Sequence, residues 1–504
     1  MDGKIHFNWE EAITSTMQQR PTPQFVPPVG QRTARLSRRS FLRWGATTLL
    51  ASGVLISCSP AERRTTPGAG NSATGLVTTS PTAPKREEIQ LVYQDWRTDW
   101  FPGMVQEMLA QFHEAHPDLR VFFTPDPDNL ADEMLAEMEA GTAPDVLDGC
   151  CTFFPTWAQQ GHMLDLRPYV TQDLDAATIA DWDPAQYRAF FLRDGRQFGL
   201  PKYHGAVALY YNKDLFDQSG VAYPTAQWDH DDYLAAMSQL TQDSSAGSDS
   251  GQREVWGSML DVAWDRIQLH VNSWGGHLVS PYAPTNCAFH KPKAMAALAW
   301  LHDRMWQDRV MATFPDVQYM SPRSAFINKR VAMVEEGSWV LKDILLNADF
   351  RVGVAPMPAG PARRATLATS DGYGIYAGTD YPDAAWELVQ FLTSEAYGLA
   401  MAKANFLQPA RASLVNAWID FVRAEFPDKA AEIDLAAFAD GHLHGYSVTV
   451  EIAENMVQVQ PEVVGAFEKV FTLDQEPVDY LRIICAEINR RQDSFDPQLP
   501  QLAE

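Results

Sequence analysis

The feature that most constrains the fold is a switch between two hydrophobic periods, repeated from residue 89 to residue 149. Ile89-Gln90-Leu91-Val92-Tyr93 carries strand-forming residues with apolar side chains on one face, then runs into a polar-aromatic turn, Asp95-Trp96-Arg97. Met104, Val105, Met108, Leu109 and Phe112 recur at helical spacing until His116-Pro117 stops the helix. Leu119 to Phe123 reads as a second strand. Leu130, Met134, Leu135 and Met138 mark one face of a second helix over 130–140, Gly141 is its expected C-cap, and Val146-Leu147 starts a third strand. Strands and helices alternating at these lengths imply a parallel sheet with right-handed crossovers. Open sheets of this kind bind ligands beyond the carboxyl ends of their strands. The turns at Asp95-Trp96, Thr124 to Asp126 and Asp148 to Phe154 are therefore expected on one rim.

A second unit begins after Gly199-Leu200-Pro201-Lys202, where Val207, Leu209 and Tyr211 alternate ahead of Asn212-Lys213-Asp214. Met295, Leu298, Leu301 and Met305 predict a helix within 291–310, and strands are expected at 331–334 and 351–355. The Pro-Gly segment 356–361 reads as a second crossing, with Gly374-Ile375-Tyr376-Ala377 returning as strand. A chain that crosses twice makes two lobes joined by a hinge, and the cleft between them opens and closes. The expected division gives residues 88–201 plus about 358–415 to lobe 1, and 202–357 plus about 416–504 to lobe 2. The length beyond residue 86 also exceeds what one core supports.

Ahead of this body, Ser37-Arg38-Arg39-Ser40-Phe41-Leu42-Arg43 precedes an apolar stretch ending Leu55-Ile56-Ser57-Cys58. The order of paired arginines, short apolar run, small residue and cysteine reads as a twin-arginine export signal (Arg38, Arg39) ending in a lipobox. Residues 1–57 are then removed, with Met17 an alternative start, and Cys58 becomes the lipidated first residue. Residues 58–87, rich in Thr, Pro, Ala, Gly and Ser, read as a flexible tether. The body is expected outside the cytoplasmic membrane, held at its surface without spanning it.

The signal carries seven basic and three acidic side chains, so its removal takes the formal charge from −24 to −28. Such a field repels phosphate backbones, which argues against nucleic acid and for a neutral or cationic ligand; it also keeps an exported protein soluble. Cys150, Cys151, Cys287 and Cys485 allow three pairings between which sequence does not choose, and the adjacent pair reads as two buried thiols. His113-Glu114-Ala115-His116 is one residue short of a zinc-protease motif, and His442 and His444 lack supporting ligands, so no metal or other cofactor is expected.

Six segments then occur in a telling order: 116–121 (HPDLRV), 141–146 (GTAPDV), 161–166 (GHMLDL), 199–201 (GLP), 209–216 (LYYNKDLF) and 331–339 (VAMVEEGSW). Together they resemble the extracellular solute-binding proteins of carbohydrate-uptake ABC transporters, the group that includes the maltose-binding protein. The resemblance covers roughly residues 88–395 well. It implies an α/β, two-lobed periplasmic-binding-protein fold of type II, each lobe a mostly parallel sheet flanked by helices. It also implies a monomer that closes on a sugar or oligosaccharide and docks on a membrane permease, without catalysis.

A sugar presents C–H faces bordered by hydroxyls, so its receptor needs aromatic platforms beside carboxylates and amides. Trp96 and Trp339, both in turns after strands, are the best platforms among the fifteen tryptophans. Asp148 follows the third strand, where the family commonly places a polar contact, although Gly149 to Phe154 is more apolar than usual. Tyr203 and His204 sit at the first crossing. Asn272 and Trp274 lie in a loop that lines the cleft in the family, and Asp371 and Tyr373 lie where the chain re-enters lobe 1. The rival readings are an extracellular carbohydrate-active enzyme working through two carboxylates, and the same fold holding a polyamine or other non-sugar solute.

Overall fold

The computed structural model describes residues 88–95, 102–127, 129–243, 253–281, 287–453 and 456–493. Arg38, Arg39, Cys58 and Trp96 lie outside the described residues. The alternation legible in the sequence forms β1 (Ile89–Asp95), α1 (Pro102–Ala115), β2 (Leu119–Pro125), α2 (Leu130–Glu139) and β3 (Val146–Gly149), followed by α3 (Phe153–Gln159). Gly141 takes φ +71 just past the end of α2, a left-handed conformation that a side chain would resist.

In the first sheet β1 pairs in parallel with β2 over seven residues and with β3 on its other edge. Two further strands, β4 (Leu200–Pro201) and, from late in the chain, β12 (Gly372–Ile375), complete the order β2-β1-β3-β12-β4. The sheet is mostly parallel with one exception: β12 runs antiparallel to both β3 and β4. It enters the sheet at the rim where β3 ends, so it has to run the opposite way. β4 thus points the same way as β1 and β3, and its end joins theirs on one rim.

The second lobe is more mixed still. β5 (Val207–Asn212), β6 (Gln242–Asp243), β7 (Arg253–Met259), β8 (Met311–Ala312), β9 (Val331–Gly337) and β10 (Val352–Ala355) form its sheet. β7 is parallel to β8 and β9, whereas β5 is antiparallel to β9 and β10. All six residues of β5 are buried because both faces are covered: Leu209 and Tyr211 enter one core, Ala208 and Tyr210 the other. No helix among the described residues is long and apolar enough to cross a membrane.

The lobes are joined where the crossing segments pair with one another. Ala206 bridges Ala368, and Thr369 N–H donates to the Gly205 carbonyl at 2.9 Å. A third pass joins them, since β11 (Thr366–Leu367) pairs with β13 (Ser447–Val448). The disulfides are Cys150–Cys151 and Cys287–Cys485. The first corrects the reading of 150 and 151 as separate thiols; the second fastens the last described helix, Tyr480–Asp493, to lobe 2.

Candidate functional site

The rim of the first sheet collects charge because four strands deliver polar residues to it from apolar interiors. Asp95 ends β1, Asp148 is the third residue of β3, Lys202 follows β4, and Asp371 precedes β12. All four are buried. Lys202 Nζ donates to Asp148 Oδ2 at 3.0 Å and to Asp95, while Gln94 Nε2 bridges Asp148 Oδ1, at 3.0 Å, and Asp126. The hydroxyls of Tyr93 and Tyr373 both donate to Asp95 Oδ2.

Burial and partners pull against each other in this cluster. Loss of water raises Asp148 to about 6 and Asp371 to about 7; Lys202 pulls both down but does not win, and neighbouring carboxylates push them further up. Burial also works against the Lys202 ammonium, yet Asp148 and Asp95 outweigh it and raise its pKa.

In lobe 2, α5 (Trp264–Ser273) meets the end of β9. Arg266 is buried, pairs with Asp265, reaches Glu336 Oε2 at 3.4 Å and lies over the Trp339 ring at 5.4 Å. Trp339 packs against the lobe 1 core as well as both neighbouring lobe 2 cores, so it stands between the lobes. Gly205 makes room for it: a Cβ there would lie 2.9 Å from Trp339 Cε3 and 2.5 Å from Thr369 Cγ2. The lobes also touch where Thr152 Oγ1 donates to Gln460 Oε1 at 3.1 Å. A cavity of about 550 Å³ opens between residues 188–198 and the segment 449–452, lined among others by Arg188, Phe190, Arg193, Arg196, Phe198 and Val450. Its size suits a small oligomeric ligand, with apolar rings and guanidinium groups side by side.

A family model described as bacterial extracellular solute-binding protein matches residues 95–398, more than half of the chain. The chain belongs to this family.

Among relatives, a binding protein of Brucella abortus is 25% identical over 294 residues, covering 57% of this chain and 67% of its own length. An ABC substrate-binding protein of Listeria monocytogenes, solved in complex with cycloalternan, superposes with a TM-score of 0.67 at 25% identity, covering 80% of this chain and 99% of that one. The UgpB protein of Mycobacterium tuberculosis, solved with glycerophosphocholine, gives 0.63 at 17% identity over 80% and 97%; at that identity the likeness concerns the fold alone. The fold of this solute-binding protein is the two-lobed periplasmic-binding-protein architecture.

Within this member of the family, the residues singled out from sequence separate into three places. Asp148, Asp371, Tyr203 and Tyr373 gather at the lobe 1 rim; Tyr373 is fully buried, with Lys202 Nζ 5.3 Å from its ring centre. His204 lies in the crossing, its Nε2 3.4 Å from Asp183 and its Nδ1 3.3 Å from Gln408 Nε2. Asn272 and Trp274 organise lobe 2 internally. Asn272 Nδ2 donates to Glu451 Oε1 at 2.8 Å and to the Gly276 carbonyl, and Trp274 meets the ring of His230 at 4.5 Å. Sequence reasoning passed over Lys202, Arg266 and Glu451. A lysine directly after a buried strand and an arginine on the apolar face of a helix were the available signals, because each demands a buried carboxylate.

Proposed function

We propose that this solute-binding protein captures a sugar or oligosaccharide between its lobes and delivers it to an ABC permease. It would do so as an exported lipoprotein tethered through Cys58 and residues 58–87, with the lobes divided as given above and no catalytic step. The observation that carries the reading is Trp339, an aromatic face standing between two lobes that both bring buried hydrogen-bonding groups toward it. A flat ring stacks on C–H faces while carboxylates, amides and guanidinium groups fix the hydroxyls. The Listeria relative's complex with cycloalternan supports the carbohydrate class.

One observation favours a second reading, a cationic solute: Asp95, Asp148 and Asp371 surround a single lysine. The arginines lining the cavity favour the sugar. Thermal melts of the full chain against oligosaccharides, polyols and polyamines separate the two, with mass spectrometry of each mixture for products. A ligand at about a hundred times its Kd adds roughly 2.7 kcal/mol of stability. A shift with oligosaccharides, reduced at least about tenfold in affinity by Trp339→Ala, is the expected result. A shift with polyamines alone establishes the second reading, and new products in the mass spectrum would make the chain an enzyme.

A further inference from the structure

Three passes of the chain meet beside the hinge, each bringing a metal-ligating side chain. Asp183 precedes α4 (Pro184–Ala189), His204 lies in the first crossing, and His442 sits on α6 (Asp440–His444), just ahead of the third pass at β13. One ligand atom from each residue lies within 4.8 Å of the others. The sequence reading that left His442 without supporting ligands is corrected by this convergence, since its partners come from more than two hundred positions away.

We propose that Asp183, His204 and His442 form a binding site for a divalent transition-metal ion of the zinc class, with water completing its coordination. Two imidazoles and one carboxylate are a ligand set that zinc takes in open sites. His204 Nε2 and Asp183 Oδ2 are 3.4 Å apart. That matches the edge of a tetrahedron with bonds of about 2.0 Å, which is roughly 3.3 Å.

The surrounding groups divide the work as a metal site requires. Asp183 uses Oδ1 to accept from the backbone N–H groups of Ala185 at 2.7 Å and Gln186 at 3.1 Å, which fixes the carboxylate and leaves Oδ2 for the ion. Gln408 stands 3.3 Å from His204 Nδ1, and its Oε1 is buried with no hydrogen-bond partner among the described residues. The two ends of an amide are interchangeable in placement. With the amide turned, Oε1 accepts from Nδ1–H, as partners of metal-bound histidines do. His204 then presents the Nε2 lone pair to a carboxylate oxygen, an arrangement that a cation between them makes favourable. His442 stacks on His204 with ring centres 5.4 Å apart and is only half-buried, which leaves a side for the ion and its water to enter. An ion held here would pin three chain passes at the point where the lobes join, so its occupancy should alter how readily they close.

Cobalt chloride and zinc chloride are the probes, used on the full chain after chelator treatment. The expected result is one bound equivalent, a visible cobalt spectrum of tetrahedral type without thiolate bands, and a zinc-dependent rise in Tm. His442→Ala should weaken zinc binding at least tenfold while leaving the Tm measured in chelator nearly unchanged. His444→Ala, two residues away and exposed, should bind zinc as the parent does. The wild-type spectrum keeps the proposal testable if a variant misfolds. No bound cobalt, an octahedral spectrum, or unchanged zinc affinity in His442→Ala would overturn it.

Discussion

The two lobes bury charge in opposite ways. Lobe 1 gathers Asp95, Asp148 and Asp371 around Lys202, and burial prevails, lifting Asp148 and Asp371 toward neutrality. Lobe 2 buries Glu335 just as completely, yet there the partners prevail. Burial pushes its carboxyl up, but His270, with Nε2 2.9 Å from Oε2, and the Tyr233 hydroxyl at 3.1 Å bring it below its usual range. His230 supports the same chain through His270 at 3.3 Å, and burial lowers its own pKa to about 4. The difference teaches that ionisation inside this molecule is set by which charges stand beside a buried carboxylate rather than by depth alone: Asp148 has Asp95 beside it, whereas Glu335 has His270. Lobe 1 has too few cations for its acids, and that shortage is what a ligand or a proton can relieve.

Removing the lysine from the buried cluster of lobe 1 is the most drastic way to break this contrast. Lys202→Met leaves Asp95 and Asp148 buried without it, and should cost about 3–5 kcal/mol in chemical unfolding. Arg266→Met in lobe 2 should cost less, because one of its two partners, Asp265, is partly exposed and the other, Glu336, stands at 3.4 Å. A larger loss for Arg266→Met would reverse the ranking.

The disulfides extend the comparison. Cys287–Cys485 spans 198 positions and ties the last described helix to lobe 2, so Cys485→Ser should lower stability by about 2–5 kcal/mol. Cys150–Cys151 joins neighbours and closes no loop, so Cys150→Ser with Cys151→Ser should change unfolding by less than about 1 kcal/mol. Equal losses from the two would refute the loop-closure account.

The pH dependence sharpens it further. Asp371 binds its proton more tightly folded than unfolded, so its contribution to stability is present at low pH and is lost as pH rises from about 4 through about 7. Asp371→Asn should flatten that fall and add roughly 1–3 kcal/mol at pH 8. Glu335 has the opposite sign: its folded pKa is depressed, so its contribution is present above the unfolded value and is lost as pH falls through the folded one. Glu335→Gln should therefore remove stability at neutral pH and spare it in acid. Parallel slopes for the two variants in unfolding curves across pH would contradict the contrast.

Much of lobe 1 was legible because its order is local. The run from Ile89 to Gly149 states its own periods, and Gly141 announces the end of α2 with no help from distant residues. Lobe 2 was harder to read: β5 is buried on both faces, so alternation along it says which core each residue enters and nothing about solvent. Asp148 was expected on the rim because strand ends in open sheets converge there, and Tyr203, Asp371 and Tyr373 were singled out because the chain passes between the lobes beside them. Lys202 and Arg266 were not, since a buried cation is recognisable only once its carboxylates are in place.

By itself the sequence determined the alternation of strands and helices and the family, since each rests on spacing between neighbours or on short segments in fixed order. The tertiary structure alone decided which way β12 runs, which cysteines pair, and that Asp183, His204 and His442 share one point. Those facts depend on contacts between residues far apart in the chain, where the energy of a pairing is set by geometry that no local pattern encodes.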